Sequence, residues 1–287
     1  MVAFDETYLL LLLSDSNLPT GSFVASSGLE SFLTHGFGTP LSTSRNLAGQ
    51  KMDTIAVFIR DSLSTYAPSA LPFVSDAHSV VSDLCNSGQS VDATLGLMNQ
   101  LEALYESMML NDVARRASKS QGVALLSLYS KGFSRPSGMS VTRSEPEKES
   151  GDISVLVDRF KLMVRRGDPD AHGHLSTCWG LLCAALGLSL DRAQHLHLYL
   201  HARSLLSAAV RLNSIGPYAA QQIILYSVES IVDQELQRCA HLRTGIMPRE
   251  REDSTWDAAL SGPASTWPLG EILAARHDLQ HSRIFNS

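Results

Sequence analysis

Residues 174–238 read HLSTCWGLLCAALGLSLDRAQHLHLYLHARSLLSAAVRLNSIGPYAAQQIILYSVESIVDQELQR, and this stretch decides the fold class. Its apolar residues recur at helical rather than alternating spacing. Two breaks divide it, Gly187-Leu-Ser-Leu-Asp191 and Ser214-Ile-Gly-Pro217, so three helices are expected. Ser189 stands where an N-cap belongs, and Pro217, beside Gly216, where a first helical turn tolerates proline. The middle helix carries Ala202, Ser204, Ser207, Ala208 and Ala209. Small side chains permit close approach, which suits the centre of a bundle or a dimer seam.

Outward from this block the helical signal continues, and no long stretch alternates with period two. A short helix is expected from Phe23 to about Leu33, after the turn Pro19-Thr20-Gly21-Ser22, and the loop 35–40 stops it. A long helix fits 44–66, with Leu47, Ile55, Phe58, Ile59 and Leu63 as its stripe and Pro68 as its end. Further helices fit 72–84, 90–118, 152–165 and 269–277, with a loop at 166–170. Residues 134–152 hold two prolines, two glycines and five serines, a flexible insertion rather than core. The pattern resumes beyond it, so the expectation is one all-α domain over 1–287, a bundle of about nine to ten helices.

With 44% hydrophobic residues in 287, the chain can bury a sizeable core. Its 23 basic and 29 acidic residues give a net charge of -6, only 5 of the cations are lysines, and no basic run occurs. That balance argues against a nucleic-acid partner. The longest apolar runs, Tyr8–Leu13 and Leu181–Leu186, fall far below the roughly 20 residues a spanning helix needs, so no membrane partner is expected. Asp5 and Glu6 precede the first run where a secretory leader would be cationic. Cys85, Cys178, Cys183 and Cys239 form no C-x-x-C pair and read as buried reduced thiols of a cytoplasmic protein.

The chain carries neither phosphate-loop signature, G-x-x-x-x-G-K-[ST] or G-x-G-x-x-G, and neither G-x-S-x-G nor H-E-x-x-H. No cofactor is expected. Histidines are the remaining chemistry. His197 and His201 lie at i and i+4 without an acid between them, and read as surface or interface histidines. His172 and His174 flank Gly173 and either cap the following helix or serve binding, as weak candidates for a metal.

Four segments together resemble the urease accessory protein UreF family. Asp15-Ser-Asn-Leu-Pro-Thr-Gly-Ser-Phe23, continuing to Ser27-Gly-Leu-Glu30, is similar to its N-terminal signature. Ala171-His-Gly-His-Leu175 resembles its H-G-H-L element. Leu205-Leu-Ser-Ala-Ala-Val-Arg-Leu212, with Gly216 and Gln221-Gln222, resembles its S-A-A-V-R-L…G…Q segment. The ending His277–Ser287 resembles H-E-x-Q-Y-S-R-L-F-x-S, with Asp278 for Glu and His281 for Tyr. The insertion at 134–152 and the stretch 240–268 depart from the compact bacterial pattern.

The resemblance implies an all-α homodimer without enzymatic activity. It implies assembly with a UreD (UreH) homologue and the GTPase UreG to deliver nickel to apo-urease. On that footing the candidate contact residues are Pro19, Gly21, Phe23, Gly28 and Glu30, then His172 and His174, which also mark a candidate nickel path. The first group serves equally well to fix a turn and plug the core. Arg203 and Arg211 interrupt apolar helix and are either paired internally or presented to a partner. Arg276, Arg283, Ile284 and Phe285 mark a docking tail at about 269–287, expected to find little core of its own. Two other readings stand beside this one, a generic helical scaffold and a histidine-based metal-dependent hydrolase.

Overall fold

The computed structural model describes residues 5–15, 17, 18, 20, 25–37, 47–133, 150–247, 257–265 and 267–286. Among these, every regular element is helical. The elements are α1 (Glu6–Leu13), α2 (Leu29–Thr34), α3 (Leu47–Ser87), α4 (Val91–Met108), α5 (Asp112–Leu128), α6 (Ser150–Arg166), α7 (Leu175–Leu186), α8 (Leu190–Arg211), α9 (Pro217–Ile223), α10 (Glu229–Cys239), α11 (Ala258–Ser261) and α12 (Pro268–His277). A π-helical turn, Tyr129–Phe133, extends α5, and another, Ile224–Val228, fuses α9 to α10. The fold is all-α. The expected three helices of 174–238 are present with the expected breaks.

Pro68 does not end a helix. The stretches expected as separate helices at 44–66 and 72–84 form the single 41-residue α3, with Pro68 and Pro72 inside it. Each proline removes the N–H that would serve the carbonyl four residues back. Both orphaned carbonyls find tertiary donors. The Arg238 guanidinium donates to Ser64 O, and Ala264 N–H donates to Pro68 O at 3.1 Å. Distant residues therefore supply what the local sequence withholds.

Other boundaries also move. The helix expected over 90–118 breaks at Met109, because the Asn111 side chain accepts from Val113 N–H and Ala114 N–H at 2.9 and 3.2 Å and starts α5 afresh. Tyr8–Leu13 belongs to α1, capped by Asp5, with Leu9 and Leu13 buried. Ser189 does precede α8, but its hydroxyl donates to Glu6 at 2.5 Å rather than capping the helix. Helix α2 starts only at Leu29, after Gly28 in the left-handed region at φ +86. Of the insertion, 134–149 lies outside the described residues, whereas 150–152 already belong to α6.

Two apolar clusters share α3. One gathers its second half (Phe73, Val74, Val80) with α4, α5, α6 and α7 around Leu101, Phe160 and Leu182. The other gathers its first half (Ile55, Ile59, Leu63) with α8, α10 and α12 around Leu205, Leu273 and Phe285. Helix α7 is buried almost throughout. It lies so close to α3 that a Cβ at Gly180 would sit 2.4 Å from Val74 O. On its other side α5 crosses the turn before α7, where a Cβ at Gly122 would sit 2.1 Å from Gly173 O.

Candidate functional site

The H-G-H turn is built from α4 outward. Glu102 and Glu106 are one helical turn apart and face α7. Glu102 is fully buried, and its carboxylate accepts backbone N–H groups of His172 at 2.9 Å, Gly173 at 2.5 Å and His174 at 3.1 Å, plus the Thr177 hydroxyl. Gly173 reaches this geometry at φ +73, open to glycine at no steric cost. Burial nevertheless pushes the Glu102 pKa up to about 7, against the hydrogen bonds that favour its charge.

His174 is 0% exposed. Its Nε2 lies 2.7 Å from Glu106 and its Nδ1 3.2 Å from the Ser118 hydroxyl. Burial lowers its pKa to about 4, with Glu106 opposing the shift. Lys119 donates to Glu106 at 2.8 Å. His172 is half-buried and its pKa is also lowered, chiefly by burial. As candidate contacts the two part company, since His174 is sealed inside the fold. Among the described residues no group of three or more His, Cys, Asp or Glu is placed to hold a metal ion.

The expectation of surface histidines on α8 is corrected. His197 and His201 turn inward onto α3, because the stripe that buries Leu198, Ala202 and Leu205 carries them with it. His197 Nε2 shares a 2.9 Å hydrogen bond with the Tyr66 hydroxyl, and His201 Nε2 shares one of 3.0 Å with Ser62. The His201 ring stacks on Tyr66 at 4.0 Å. Burial lowers their pKa values to about 3 and about 4. They border a cavity of about 320 Å³ between α3, α5, α8 and α12, into which Arg203 and Arg211 also face.

Arg203 donates to Ser14 O, and the Arg211 guanidinium lies 4.7 Å over the Phe285 ring. Both arginines thus have partners inside the fold.

The tail is corrected as well. Phe285 is 2% exposed and belongs to the second apolar cluster, so the chain does supply a core for it. Glu30, only 3% exposed, accepts Ile284 N–H at 2.5 Å and Phe285 N–H at 3.2 Å, while His277 Nε2 donates to Phe285 O at 3.1 Å. Arg116 donates to Asp278 and to Asn286 O, and Arg283 donates to Asp278 at 2.5 Å. Arg276 and Arg283 are exposed, and Ile284 is 56% exposed. Pro19, Gly21 and Phe23 lie outside the described residues.

Phe285→Ala is expected to cost about 3 kcal/mol, since it empties a packed ring site and removes the ring beneath the Arg211 guanidinium. A urea titration checks this. No loss of stability would mean the tail is not seated.

Sequence reading missed Glu102, Glu106, Tyr66 and Ser118. The available signal was two carboxylates at i and i+4 inside the apolar stripe of α4.

Comparisons with known proteins agree in direction. The UreF family profile matches residues 50–227. The chain is 44% identical to urease accessory protein 6 of Cryptococcus neoformans var. grubii, over 98% of this chain and 97% of that one. It is 31% identical to an uncharacterized urease accessory protein UreF-like of Schizosaccharomyces pombe, again over 98% and 97%. It is 26% identical to urease accessory protein UreF of Paenarthrobacter aurescens, over 98% and 99%. With near-complete coverage in each case, and the H-G-H turn, α8 and the tail all built into one helical fold, the chain belongs to the urease accessory protein UreF family.

Proposed function

We propose that this chain is a non-catalytic cytoplasmic assembly factor for urease, joining a UreD (UreH) homologue and the GTPase UreG to deliver nickel to apo-urease. The observation that carries it is the face around the clasped tail. Ile284, Leu279, Ile272 and Leu110 are 56, 82, 51 and 82% exposed there, beside the exposed Arg276 and Arg283. Anchored by Phe285 and Glu30, this apolar surface is presented in one fixed geometry, which lowers the ordering cost of docking. The UreD homologue is the partner assigned to it.

Co-purification with the UreD and UreG homologues, with and without GTP and nickel, tests the reading. A complex retaining all three supports it, and Leu279→Asp with Ile284→Asp should abolish UreD capture while leaving the melting temperature within a few degrees. Retention of neither partner rejects it. Self-association belongs to the same reading. Helix α8 spends its small residues Ala202, Ala208 and Ala209 inside its own core. The homodimer seam is therefore assigned to the outer face of α9–α10, where Tyr218, Leu225 and Tyr226 are exposed.

A further inference from the structure

We propose that α3 is a jointed helix whose setting at Pro68 and Pro72 is held by a two-point clip, the Arg238 guanidinium on Ser64 O and Ala264 N–H on Pro68 O. Two prolines four residues apart remove two consecutive rungs from one side of the helix, and kinks localise where rungs are missing. The clip supplies both rungs from outside. Its two halves come from separate elements, α10 and the segment between α11 and α12.

The joint sits where its motion would matter. On its N-terminal side α3 packs Ile59, Leu63 and Ala67 into one apolar cluster, and on its C-terminal side Phe73, Val74 and Ala77 into the other. Ser62, Thr65, Tyr66 and Ser69 line the cavity beside the joint, and so do Ser265 and Trp267, just after Ala264. A change of angle at the prolines therefore moves one apolar cluster against the other and shifts the cavity lining that these residues form. Arg238 is the accessible half of the clip. Its side chain is 51% exposed, whereas that of its neighbour Glu235 is 7% exposed. A carboxylate that drew the guanidinium outward would open the joint.

Hydrogen–deuterium exchange on the full chain tests this. Arg238→Ala alone would leave the Glu235 carboxylate without its pair, so the measurement is made in a Glu235→Gln background. There, adding Arg238→Ala should speed exchange of the 64–76 amides about tenfold, with a smaller rise over 262–270, and leave α4–α7 unchanged. Pro68→Ala returns an N–H to Ser64 O, so the variant combining all three changes should exchange at the rate of Glu235→Gln alone. Unchanged exchange at 64–76 overturns the proposal. So does acceleration spread evenly through the chain, or acceleration that survives Pro68→Ala.

Discussion

Glu102→Ala is expected to destabilise the protein by about 4–6 kcal/mol, enough to leave much of it unfolded at ambient temperature. The carboxylate serves three backbone N–H groups and the Thr177 hydroxyl, and alanine leaves the buried donors among them without acceptors. Glu102→Gln keeps one acceptor oxygen but turns an NH2 group toward donors, so about half that loss is expected.

The pH dependence separates charge from shape. The Glu102 pKa is raised by burial from 4.5 to about 7, so its contribution is full below about pH 4.5 and is lost as pH rises through 7. His174, His197 and His201 are lowered by burial from 6.5 to about 4, 3 and 4, so theirs are full above 6.5 and are lost as pH falls. Between pH 6.5 and 4.5 three histidines oppose one carboxyl. Stability should therefore fall on acidification by about 2 kcal/mol between about pH 6.5 and 5.5, and by about 3 in Glu102→Gln, where the compensating carboxyl is gone. Urea titrations at pH 6.5 and 5.5 on both proteins check the difference. Equal slopes would mean Glu102 stays ionised throughout that window.

The second large effect concerns the seams of α7. Gly180→Ala places a methyl 2.4 Å from Val74 O and 3.0 Å from His78 N, and Gly122→Ala places one 2.1 Å from Gly173 O. Both obstacles are backbone, so neither can rotate away. Alanine is the better helix former by about 1 kcal/mol, which makes the direction decisive. Each substitution should cost about 3 kcal/mol or more and yield mostly insoluble protein. Gly96→Ala, in a helix with nothing near the added methyl, should be neutral or stabilising by up to about 1 kcal/mol. A soluble, fully helical Gly180→Ala protein would show that α3 and α7 can separate freely.

The block from α7 to α10 was legible in the sequence because its breaks are local. Gly187, Gly216 and Pro217 act on their immediate neighbours, as did the residues that begin and end α12. What remained hidden depends on distance. Pro68 reads as a stop until Arg238 and Ala264 are seen to serve its helix. Phe285 and Glu30 read as separate contact residues because they stand 255 positions apart. The histidines of α8 share a face with Leu198 and Leu205, yet nothing local tells which side of an amphipathic helix turns inward when its polar residues find buried partners. Glu102 and Glu106, two acids in the apolar stripe of α4, read as ordinary helix charges until three amides and the His174 ring converge on them.

The clasp between Glu30 and the backbone at 284–285 also sets an order of events in folding. The backbone that completes the packing of helix α2 leaves the ribosome only after the chain from Glu30 to Phe285, 255 positions apart, has been made. Closing so large a loop is slow, because its entropy must be lost before any contact rewards it. Until then the Glu30 carboxylate lacks the N–H donors of Ile284 and Phe285, and the apolar cluster of Leu29 lacks Leu273 and Phe285. The nascent chain thus carries an incompletely covered α2 until 284–285 arrives, and is open to aggregation until then.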